Sequence, residues 1–455
     1  MNTVSRRGLA CWVLMVLVVA GCAATRDVLV TSPLEGVEPV MQDYHFWTGK
    51  LPAPEEVLLP PEEIEARNRL LSKRNDLYLH DPLSMPGALS SEEVRGMLVM
   101  GEEALRRPLF THLNHPMDDA TKEALHRDLN LDAIPPSVDV QFAMTLRECS
   151  IRVLPTNRVA MEKPDDYEFD QFQYTRITPG EALAVMHHSP GGEWSFVVST
   201  FCRGWIETRH IAAAHGRDSI AGFCSADPFV IYTGVAGHVY HDRECTRFAA
   251  SVRMGTRLPL VEEREGYVCV RMPIRDTEGY LSFTEAFLPR DASVHIGYLP
   301  FTQRNIARLA FGLMGSGYGW GGMFEGRDCS RFILDIFRCV GMLMPRNSAS
   351  QAQAGYAFLD VSTFPTSRKK EMIVAQGVPF ATLLYMRGHI MLYIGEQGKR
   401  PYAIHSLWAY RENVLFKDRL RKVSRVVVSD LHLGEGSQKG SLIERFSGMV
   451  FLAPR

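Results

Sequence analysis

The feature that most constrains the fold is a glycine-rich run that leads into a strongly amphipathic helix. Residues 315–330 read GSGYGWGGMFEGRDCS, and five of the first eight are glycine. Apolar side chains then recur at i, i+3, i+4 and i+7, the spacing of a helix with one buried face. Asp328 is a favourable N-cap. The pattern therefore predicts a helix over 328–340 that carries Cys329 as its first residue.

The residues after the glycine run argue against phosphate binding. A phosphate loop ends in Gly-Lys-Ser/Thr, and a dinucleotide loop has the form G-x-G-x-x-G after a strand; neither pattern is present. At a helix N-terminus, unpaired N–H groups and the helix dipole stabilise a thiolate, so we expect a lowered pKa for the Cys329 thiol. The glycines would let the backbone pass close to the sulfur and offer an N–H to an oxyanion.

Two histidines on neighbouring strands provide a candidate base for this thiol. The stretches GHIMLYIG and PYAIHSLWAY alternate as strands and are joined by a short loop. His389 and His405 lie eight residues to either side of Gln397, so a symmetric hairpin places them opposite each other, and a bulge would shift this by one. One imidazole would pair with Cys329 while the other orients it. Taken singly, each histidine has the alternative of a structural role.

These residues resemble the NlpC/P60 family of cell-wall cysteine peptidases, which are papain-like. The resemblance implies that Cys329 is the nucleophile, His389 the general base and then acid, and His405 the orienting residue. At Arg331 many members carry glycine, so we expect an altered cleft. The resemblance covers residues 301 to about 425, and the matching stretches are Tyr318-Gly-Trp320-Gly-Gly, Asp328-Cys329-Ser330, Pro345-Arg346-Asn-Ser348-Ala-Ser-Gln351, Gly388-His389 and Ile404-His405.

The same resemblance implies a substrate and the residues that bind it. Tyr318 would support the oxyanion or the substrate, and Asp328, Ser330 and Ser348 would bind polar groups of the substrate. A carboxylate beside a cleft is a natural partner for a free amino terminus; as the N-cap, Asp328 has the alternative of a purely structural role. The implied reaction, without a cofactor, is hydrolysis of the bond between γ-D-glutamate and a diamino acid, meso-diaminopimelate, in peptidoglycan stem peptides that begin with a free L-Ala.

The middle of the chain predicts small antiparallel barrels. Between 149 and 298, short β-branched and aromatic runs are broken by Gly, Pro and Asp. This texture resembles two tandem bacterial SH3-like domains, one of which walls off an end of the cleft in relatives with this domain order. Glu207 is a candidate for that wall, with an ordinary surface glutamate as the alternative. An internal repeat supports two copies, with glycines 24 residues apart at Gly180 and Gly204 and again at Gly255 and Gly279.

The first 22 residues have the layout of an export signal. Two arginines precede an apolar run of 12 residues, which is too short for the roughly 20 of a spanning helix. The ending Val-Ala-Gly-Cys resembles the lipobox of bacterial lipoproteins, which implies a lipid on Cys22 and a periplasmic protein tethered to a membrane. Ala23, where an Asp would imply retention in the inner membrane, favours the outer membrane. The alternative is a plain cleaved signal.

Composition limits the remaining possibilities. From Cys22 onward the 455-residue chain has 434 residues, too many for one core. A formal net charge of −2 gives no support for a nucleic-acid partner. Loss of Cys11 and lipidation of Cys22 leave seven of nine cysteines, so at least one thiol is expected to be unpaired. No Cys-x-x-Cys occurs and the histidine pairs lack further ligands at suitable spacing, so no metal site is predicted.

We therefore expect a multidomain α+β protein that acts as a lipid-anchored cysteine endopeptidase on peptidoglycan stem peptides. One alternative is a cell-wall binding lipoprotein with a vestigial peptidase domain, although the survival of Cys329, His389 and His405 argues against it. Another is a papain-like amidase or acyltransferase on a different amide. The expected organisation is a signal peptide (1–21), a lipid-anchored tether (22–40), a helical N-terminal domain (41–148), two SH3-like β-barrels (149–226 and 227–298) and a papain-like α+β peptidase domain (299–455).

Overall fold

The computed structural model describes residues 28–415 and 417–454. The candidate export signal, with Cys11 and Cys22, lies outside these residues. Within them no helix is long and apolar enough to cross a membrane. All seven described cysteines are free thiols. The odd number of cysteines predicted at least one unpaired thiol, and the structure has seven among the described residues. No group of His, Cys, Asp and Glu among the described residues has the geometry to hold a metal ion.

The region before residue 141 contains the expected helices, but within the described residues it forms no core of its own. Buried side chains up to Leu79 belong to the core of the C-terminal sheet, whereas those from Leu89 onward belong to the core of the β-rich middle region. The elements are β1 (Val28–Leu29), α1 (Tyr44–Thr48), β2 (Val57–Leu59), α2 (Pro61–Leu71), β3 (Ala88–Ser90), α3 (Ser91–Arg106), β4 (Phe110–Thr111), α4 (Asp119–Asp128) and β5 (Ser137–Asp139).

Individual contacts show how this region is shared. The ring of Trp47 on α1 lies 5.2 Å from that of Tyr402 in the C-terminal sheet. Arg67 on α2 is buried and donates a 2.6 Å hydrogen bond to the carbonyl of Ala354. Helix α3 begins with a capping box formed by Ser90 and Glu93. The N-terminal region therefore joins the two halves of the molecule.

The first β sheet begins at Gln141, upstream of the boundary expected at 149. Strand 141–145 pairs with strand 182–188 and buries four of its five side chains, which explains why it belongs to the sheet. The strand order is β13-β6-β10-β11-β12-β7-β9. The elements are β6 (Gln141–Thr145), β7 (Cys149–Arg152), β8 (Ala160–Met161, paired with β4), β9 (Gln173–Ile177), β10 (Ala182–His188), β11 (Trp194–Val198), β12 (Arg203–Glu207), β13 (Ile211–Ala213) and α5 (Arg217–Cys224).

The second β sheet repeats part of the first. Gly180 and Gly255, the first glycines of the two copies, have left-handed φ values of 82° and 85° in the turns that precede β10 and β17. Each turn opens three consecutive antiparallel strands, β10-β11-β12 and β17-β18-β19. The internal repeat thus corresponds to a three-stranded meander. The elements are β14 (Phe229–Tyr232), β15 (Ala236–Tyr240), β16 (Phe248–Arg253), β17 (Arg257–Arg264), β18 (Tyr267–Arg275), β19 (Leu281–Pro289) and β20 (Val294–Ile296).

The C-terminal part is a mixed α+β layer structure. Its sheet has the order β1-β26-β25-β24-β23-β27-β22, with β1 parallel to β26 at one edge and the last strand, β27, between β23 and β22. The elements are β21 (Phe301–Thr302), α6 (Gln303–Gly312), α7 (Cys329–Arg338), α8 (Ser348–Ala352), β22 (Ala357–Asp360), α9 (Thr366–Gln376), β23 (Thr382–Met386), β24 (His389–Gln397), β25 (Arg400–Val414), β26 (Lys417–Asp430), α10 (Leu442–Arg445) and β27 (Gly448–Phe451).

Helix α7 is the predicted helix, but it is buried on all sides. Every residue from Cys329 to Phe337 is buried. The apolar face packs on the C-terminal sheet, as the periodicity requires. The polar face carries Asp335, which accepts hydrogen bonds from Arg327 at 2.8 Å and from Arg331 at 2.6 Å. Each of these three charged groups has an ionic partner, so the polar face of the helix is buried without an unpaired charge.

Candidate active site

Helix α7 presents Cys329 at its first turn. The N-cap Asp328 accepts a 2.8 Å hydrogen bond from the backbone N–H of Arg331, which satisfies one of the free N–H groups of that turn. The Cys329 residue is 8% exposed. Backbone N–H groups of Ile390 and Ser330 act on its sulfur. Since Ile390 is the second residue of β24, the thiol lies beside the start of that strand.

The pKa of the Cys329 thiol is raised, contrary to expectation. Burial, and then the carboxylate of Asp328, bring it to about 12, while the N–H of Ile390, the charge of Arg346 and the N–H of Ser330 oppose this. The lowering expected from the helix N-terminus is therefore outweighed by desolvation of the thiolate and by the adjacent acid. A neighbouring base is needed to remove the thiol proton.

The glycines of the loop before α7 serve a different contact from the one expected. Gly321 and Gly322 have φ values of 57° and 82°. A Cβ on Gly321 would lie 2.8 Å from Gln173, and one on Gly322 would lie 2.9 Å from Arg176, both on strand β9. The Gln173 amide also donates to the Gly321 carbonyl at 2.8 Å. These two glycines thus let the loop pack on the first β sheet.

The two histidines meet as predicted, through a register that differs from the predicted one. The hairpin turns at Gly398 and Lys399, and a bulge lies just after Tyr393, so that Leu392 pairs with Ile404. If this register is continued from Leu392 back to His389, the residue directly opposite His389 lies two positions beyond His405. A shift of two residues keeps both side chains on one face of the sheet. His389 Nε2 and His405 Nδ1 are 2.7 Å apart.

Ser429 extends this pair and was not predicted. Its Oγ lies 2.8 Å from His405 Nε2, and both residues are fully buried. Because Nε2 of His389 is occupied by His405, only Nδ1 of His389 is free to accept a proton. That requires His389 to donate through Nε2 to His405 Nδ1 and His405 to donate through Nε2 to Ser429. No sequence pattern connects position 429 to the histidines, because the contact forms only when β26 pairs with β25.

Both imidazoles are neutral in this cleft. Burial, and then the charge of Arg445, lower the pKa of His389 to about 4. Burial, and then His389 itself, lower the pKa of His405 well below its ordinary value. In the free protein a neutral thiol therefore faces a neutral base, and proton transfer must accompany attack on a substrate.

Asp328 is saturated by contacts within the protein. Arg346 donates to its two oxygens at 3.0 and 2.5 Å, the N–H of Gly321 donates at 3.0 Å, and the Ser330 hydroxyl donates at 3.1 Å. Arg346 also donates to Thr175 of β9 at 2.6 Å, which ties the start of α7 to the first sheet. The geometry favours the structural alternative for Asp328, and it engages Ser330 in the same network.

Tyr318 and Ser348 keep their hydroxyl groups free of partners within the described residues. Both side chains are partly exposed. Burial, and then the charges of Asp328 and Cys329, raise the pKa of Tyr318, which places its hydroxyl within electrostatic range of the sulfur. The backbone N–H of Tyr318 bonds to the carbonyl of Ser424 at 2.9 Å, and this holds the loop against β26. Both hydroxyls are available to a ligand.

One wall of the cleft comes from the loop between β8 and β9. The ring of Phe169 lies 4.9 Å from Trp408, 5.5 Å from Trp320 and 6.3 Å from Tyr318. Glu168 accepts a 3.0 Å hydrogen bond from Trp408 Nε1 and pairs with Lys422 at 2.7 Å, both through Oε2. The first sheet therefore presents Glu168 to this wall.

Glu207, the residue named from the sequence, lies elsewhere. Its carboxylate contacts Asn157 at 3.3 Å, Arg209 at 2.6 Å and His210 at 3.7 Å, all within the first sheet and its loops. None of these partners belongs to the C-terminal part of the described chain. Glu168 occupies a loop without periodic pattern, so no sequence signal distinguished it from the other glutamates.

Comparison with known proteins identifies two domains. A model of the NlpC/P60 family matches residues 315–409, and a model of an SH3 domain of the SH3b1 type matches residues 160–207. Residues 315–409 form an NlpC/P60 domain. The papain-like α+β fold expected for the C-terminal part and the SH3-like fold expected for the first β sheet are thereby confirmed.

Two relatives place the NlpC/P60 domain in context. A gamma-D-glutamyl-L-lysine dipeptidyl-peptidase of Bacillus subtilis (strain 168) is 28% identical over 156 residues, which cover 34% of this chain and 42% of that protein. The match thus spans less than half of the Bacillus protein. The structure of an NlpC/P60 endopeptidase from Photobacterium damselae subsp. piscicida matches 94% of this chain and 100% of that chain, with a TM-score of 0.74 and 18% identity. The overall fold is therefore shared.

Two motif residues of the NlpC/P60 domain hold its parts together. Arg331 pairs with Asp335 and also donates to the backbone carbonyl of Arg176 at 2.5 Å, so it docks the SH3-like domain onto α7. Gln351 donates to the carbonyls of Ser330 at 2.8 Å and Pro345 at 2.9 Å. Arg331, where many family members carry glycine, thus contacts the neighbouring domain.

Proposed function

We propose that this chain is a cysteine endopeptidase that hydrolyses the γ-D-glutamyl–meso-diaminopimelate bond of peptidoglycan stem peptides. The observation that carries the proposal is the pairing of two histidines beside Cys329. His389 Nε2 and His405 Nδ1 are 2.7 Å apart, and Ile390, which follows His389 on β24, contacts the Cys329 sulfur through its backbone N–H. The NlpC/P60 domain and the SH3b1-type domain support a peptidoglycan substrate. The D-glutamyl bond follows from the resemblance of the motif residues.

In the proposed reaction, His389 Nδ1 takes the thiol proton as the Cys329 sulfur attacks the γ-carbonyl carbon. Tyr318, with its free hydroxyl near the sulfur, donates a hydrogen bond to the oxyanion. His389 then returns the proton to the amine of the departing diamino acid, which leaves a thioester on Cys329. Water, deprotonated by His389, hydrolyses the thioester and restores the thiol. His405 and Ser429 hold the base in the required tautomer.

Activity is expected to persist in mildly acidic solution. His389 accepts a proton only when it is neutral, and its pKa is lowered to about 4. A base with a lowered pKa loses function only as the pH falls through that value, so kcat/KM is expected to be half-maximal near pH 4. An ordinary imidazole would give about 6.5. The measurement is kcat/KM for hydrolysis of the tripeptide L-Ala-γ-D-Glu-meso-diaminopimelate between pH 3 and 8, with circular dichroism at each pH to exclude unfolding. A midpoint near 6.5 would contradict the burial of the base.

The wall formed by Glu168 and Phe169 supports a preference for a free amino terminus. Both contacts to Glu168 use Oε2, which leaves Oε1 without a partner within the described residues. Aromatic faces beside a carboxylate favour a cation. We therefore propose that the L-Ala ammonium binds here, with Ser348 contributing a hydrogen bond to the peptide, while Asp328 and Ser330 fix the helix start.

The location remains a proposal from the sequence. A lipid on Cys22 would tether the protein to the outer membrane, on the periplasmic side. The described residues begin at Val28, six residues later, where β1 joins the edge of the catalytic sheet. The tether expected over 22–40 is therefore not free in its described part, because Val28 and Leu29 pair with β26 and Leu34 and Val37 are buried in the core.

Mass spectrometry of L-Ala-γ-D-Glu-meso-diaminopimelate, incubated with the full chain in detergent, tests the proposal. L-Ala-D-Glu and free diaminopimelate are expected, and an N-acetylated copy should be cleaved at least about tenfold more slowly. Glu168→Gln should reduce this preference, whereas Glu207→Gln, a matched change on the same sheet, should not. Cleavage at another bond, or of no peptide, would refute the assigned reaction. Equal cleavage of both copies would refute only the amine preference.

A further inference from the structure

The two sides of the cleft carry different charged side chains. In the C-terminal sheet, β24 with His389 is flanked by β25 and β26 on one side and by β23 and β27 on the other. The wall with Glu168 stands on the β25–β26 side, because it contacts Trp408 and Lys422. The side formed by β23 and β27 carries basic residues and is not used by the reaction described above.

Arg445 and Arg387 are the basic residues on that side. Strand β23 ends at Met386, which pairs with His389 across a two-residue turn that contains Arg387. Strand β27 begins at Gly448, opposite Tyr385, so the preceding residues leave the sheet at the same end as this turn. The catalytic imidazole and both arginines therefore lie at one end of the sheet.

Arg445 is held in place by its neighbours and yet has no partner of its own. Phe446 is fully buried, and the N–H of Ser447 bonds to the carbonyl of Tyr385 at 2.9 Å. Lys369 bonds to the carbonyls of Glu444 and Phe446. The guanidinium of Arg445 is exposed and makes no hydrogen bond or ion pair with any described residue. Its charge contributes to the lowered pKa of His389, consistent with their positions at the same end of the sheet.

Free cations that face a catalytic group commonly bind an anionic part of the substrate. In the proposed substrate, the free ammonium of L-Ala lies on one side of the scissile bond and the diamino acid lies on the other. Meso-diaminopimelate differs from lysine by one carboxylate on the carbon that bears the distal amine. If the ammonium binds at Glu168 on the β25–β26 side, a peptide that crosses the catalytic imidazole carries this carboxylate to the β23–β27 side, where Arg445 lies.

We infer that Arg445 binds the distal carboxylate of the diamino acid and selects meso-diaminopimelate over lysine. The inference rests on the proposed function and specifies the leaving-group side of the same site. Arg387, exposed on the adjoining turn, widens the positive surface. The guanidinium meets the leaving group and not the acyl group, so it affects the choice of diamino acid. Its charge also lowers the pKa of His389, but burial is the larger cause, so the base stays neutral near pH 7 without Arg445.

Three peptides with a free L-Ala test the inference, namely those with L-Ala-γ-D-Glu joined to meso-diaminopimelate, to L-lysine, or to diaminopimelate amidated at its distal carboxylate. The wild-type full chain in detergent is expected to cleave the first with a kcat/KM at least about tenfold above the others, the effect of one hydrogen bond to a charged group. Arg445→Gln should lose this factor on the diaminopimelate peptide and change the other two by less than about threefold. Arg445→Lys should recover part of it.

Arg368→Gln is the matched control, since Arg368 is an exposed arginine on α9 that pairs with Glu371. It should leave all three values unchanged. Equal cleavage of the three peptides by the wild type, or an equal loss on all three in Arg445→Gln, would overturn the inference while the proposed reaction stands. Cleavage of none of them by the wild type would instead refute the proposed reaction.

Discussion

Replacing Cys329 by alanine is expected to abolish hydrolysis of the stem peptide and leave the fold intact. The change removes the sulfur that attacks the carbonyl in the proposed reaction. Loss of a nucleophile in a catalytic triad costs at least about 10⁴-fold in kcat. Alanine suits the first turn of a helix, so α7 should form as before. Mass spectrometry of the product peptide and thermal unfolding measure the two effects separately.

Cys339→Ala is the matched control for this prediction. Cys339 lies at the other end of the same helix, fully buried, with its sulfur 3.5 Å from the carbonyl of Asp335. Its loss creates a small cavity and is expected to lower the free energy of unfolding by about 1 kcal/mol without affecting hydrolysis. If Cys329→Ala retained hydrolysis, or if Cys339→Ala lost it while still folded, the assignment of the nucleophile would be wrong.

Arg346→Ala is expected to lower the free energy of unfolding by about 3 to 5 kcal/mol, because it leaves the buried carboxylate of Asp328 without its cation. Burial works to raise the pKa of Asp328, but the charge and hydrogen bonds of Arg346, with the N–H groups of Arg331 and Gly321, hold it below its ordinary value. A carboxyl with a lowered pKa stabilises the fold above its unfolded-state pKa and loses that contribution as the pH falls through the folded-state value. Urea unfolding at pH 7 measures the change.

Two further variants test whether the destabilisation by Arg346→Ala comes from breaking a buried ion pair or only from losing a side chain. Asp328→Asn combined with Arg346→Met removes both charges and should be less destabilised than Arg346→Ala alone. Arg368→Ala breaks an exposed ion pair with Glu371 and should cost at most about 1 kcal/mol. If Arg346→Ala were as stable as the wild type, Asp328 would not depend on Arg346, and the link between α7 and Thr175 would not contribute to stability.

Local patterns predicted the parts of the site that depend on local geometry. The spacing of apolar residues after Asp328 predicted α7 and its capped start, because a helix needs only its own sequence to set one buried face. The two strands predicted that His389 and His405 share a face. The actual turn and bulge changed the register by two residues, and a period of two leaves the face unchanged. The prediction that both histidines share a face was correct because the error in the register, two residues, equals the period with which side chains alternate along a strand.

Contacts between distant segments were not predictable in this way. Ser429 meets His405 only after β26 pairs with β25, and Glu168 reaches the cleft only after two domains dock. The raised pKa of Cys329 depends on burial beneath those domains, which the position of a residue in a helix does not reveal. Similarly, the sequence predicted a helical N-terminal domain over 41–148, but it did not predict that α2 and α3 bury their apolar side chains in different cores.

The place of β27 in the sheet bears on when the protein becomes active. This strand, Gly448–Phe451, follows every other described strand in sequence and yet lies between β23 and β22. A polypeptide emerges from the ribosome N-terminus first. Until β27 is made, the nascent chain has a gap inside the sheet that supports both histidines. A chain interrupted after Cys329, His389 and His405 but before β27 therefore contains all three residues and still lacks the complete sheet that positions them.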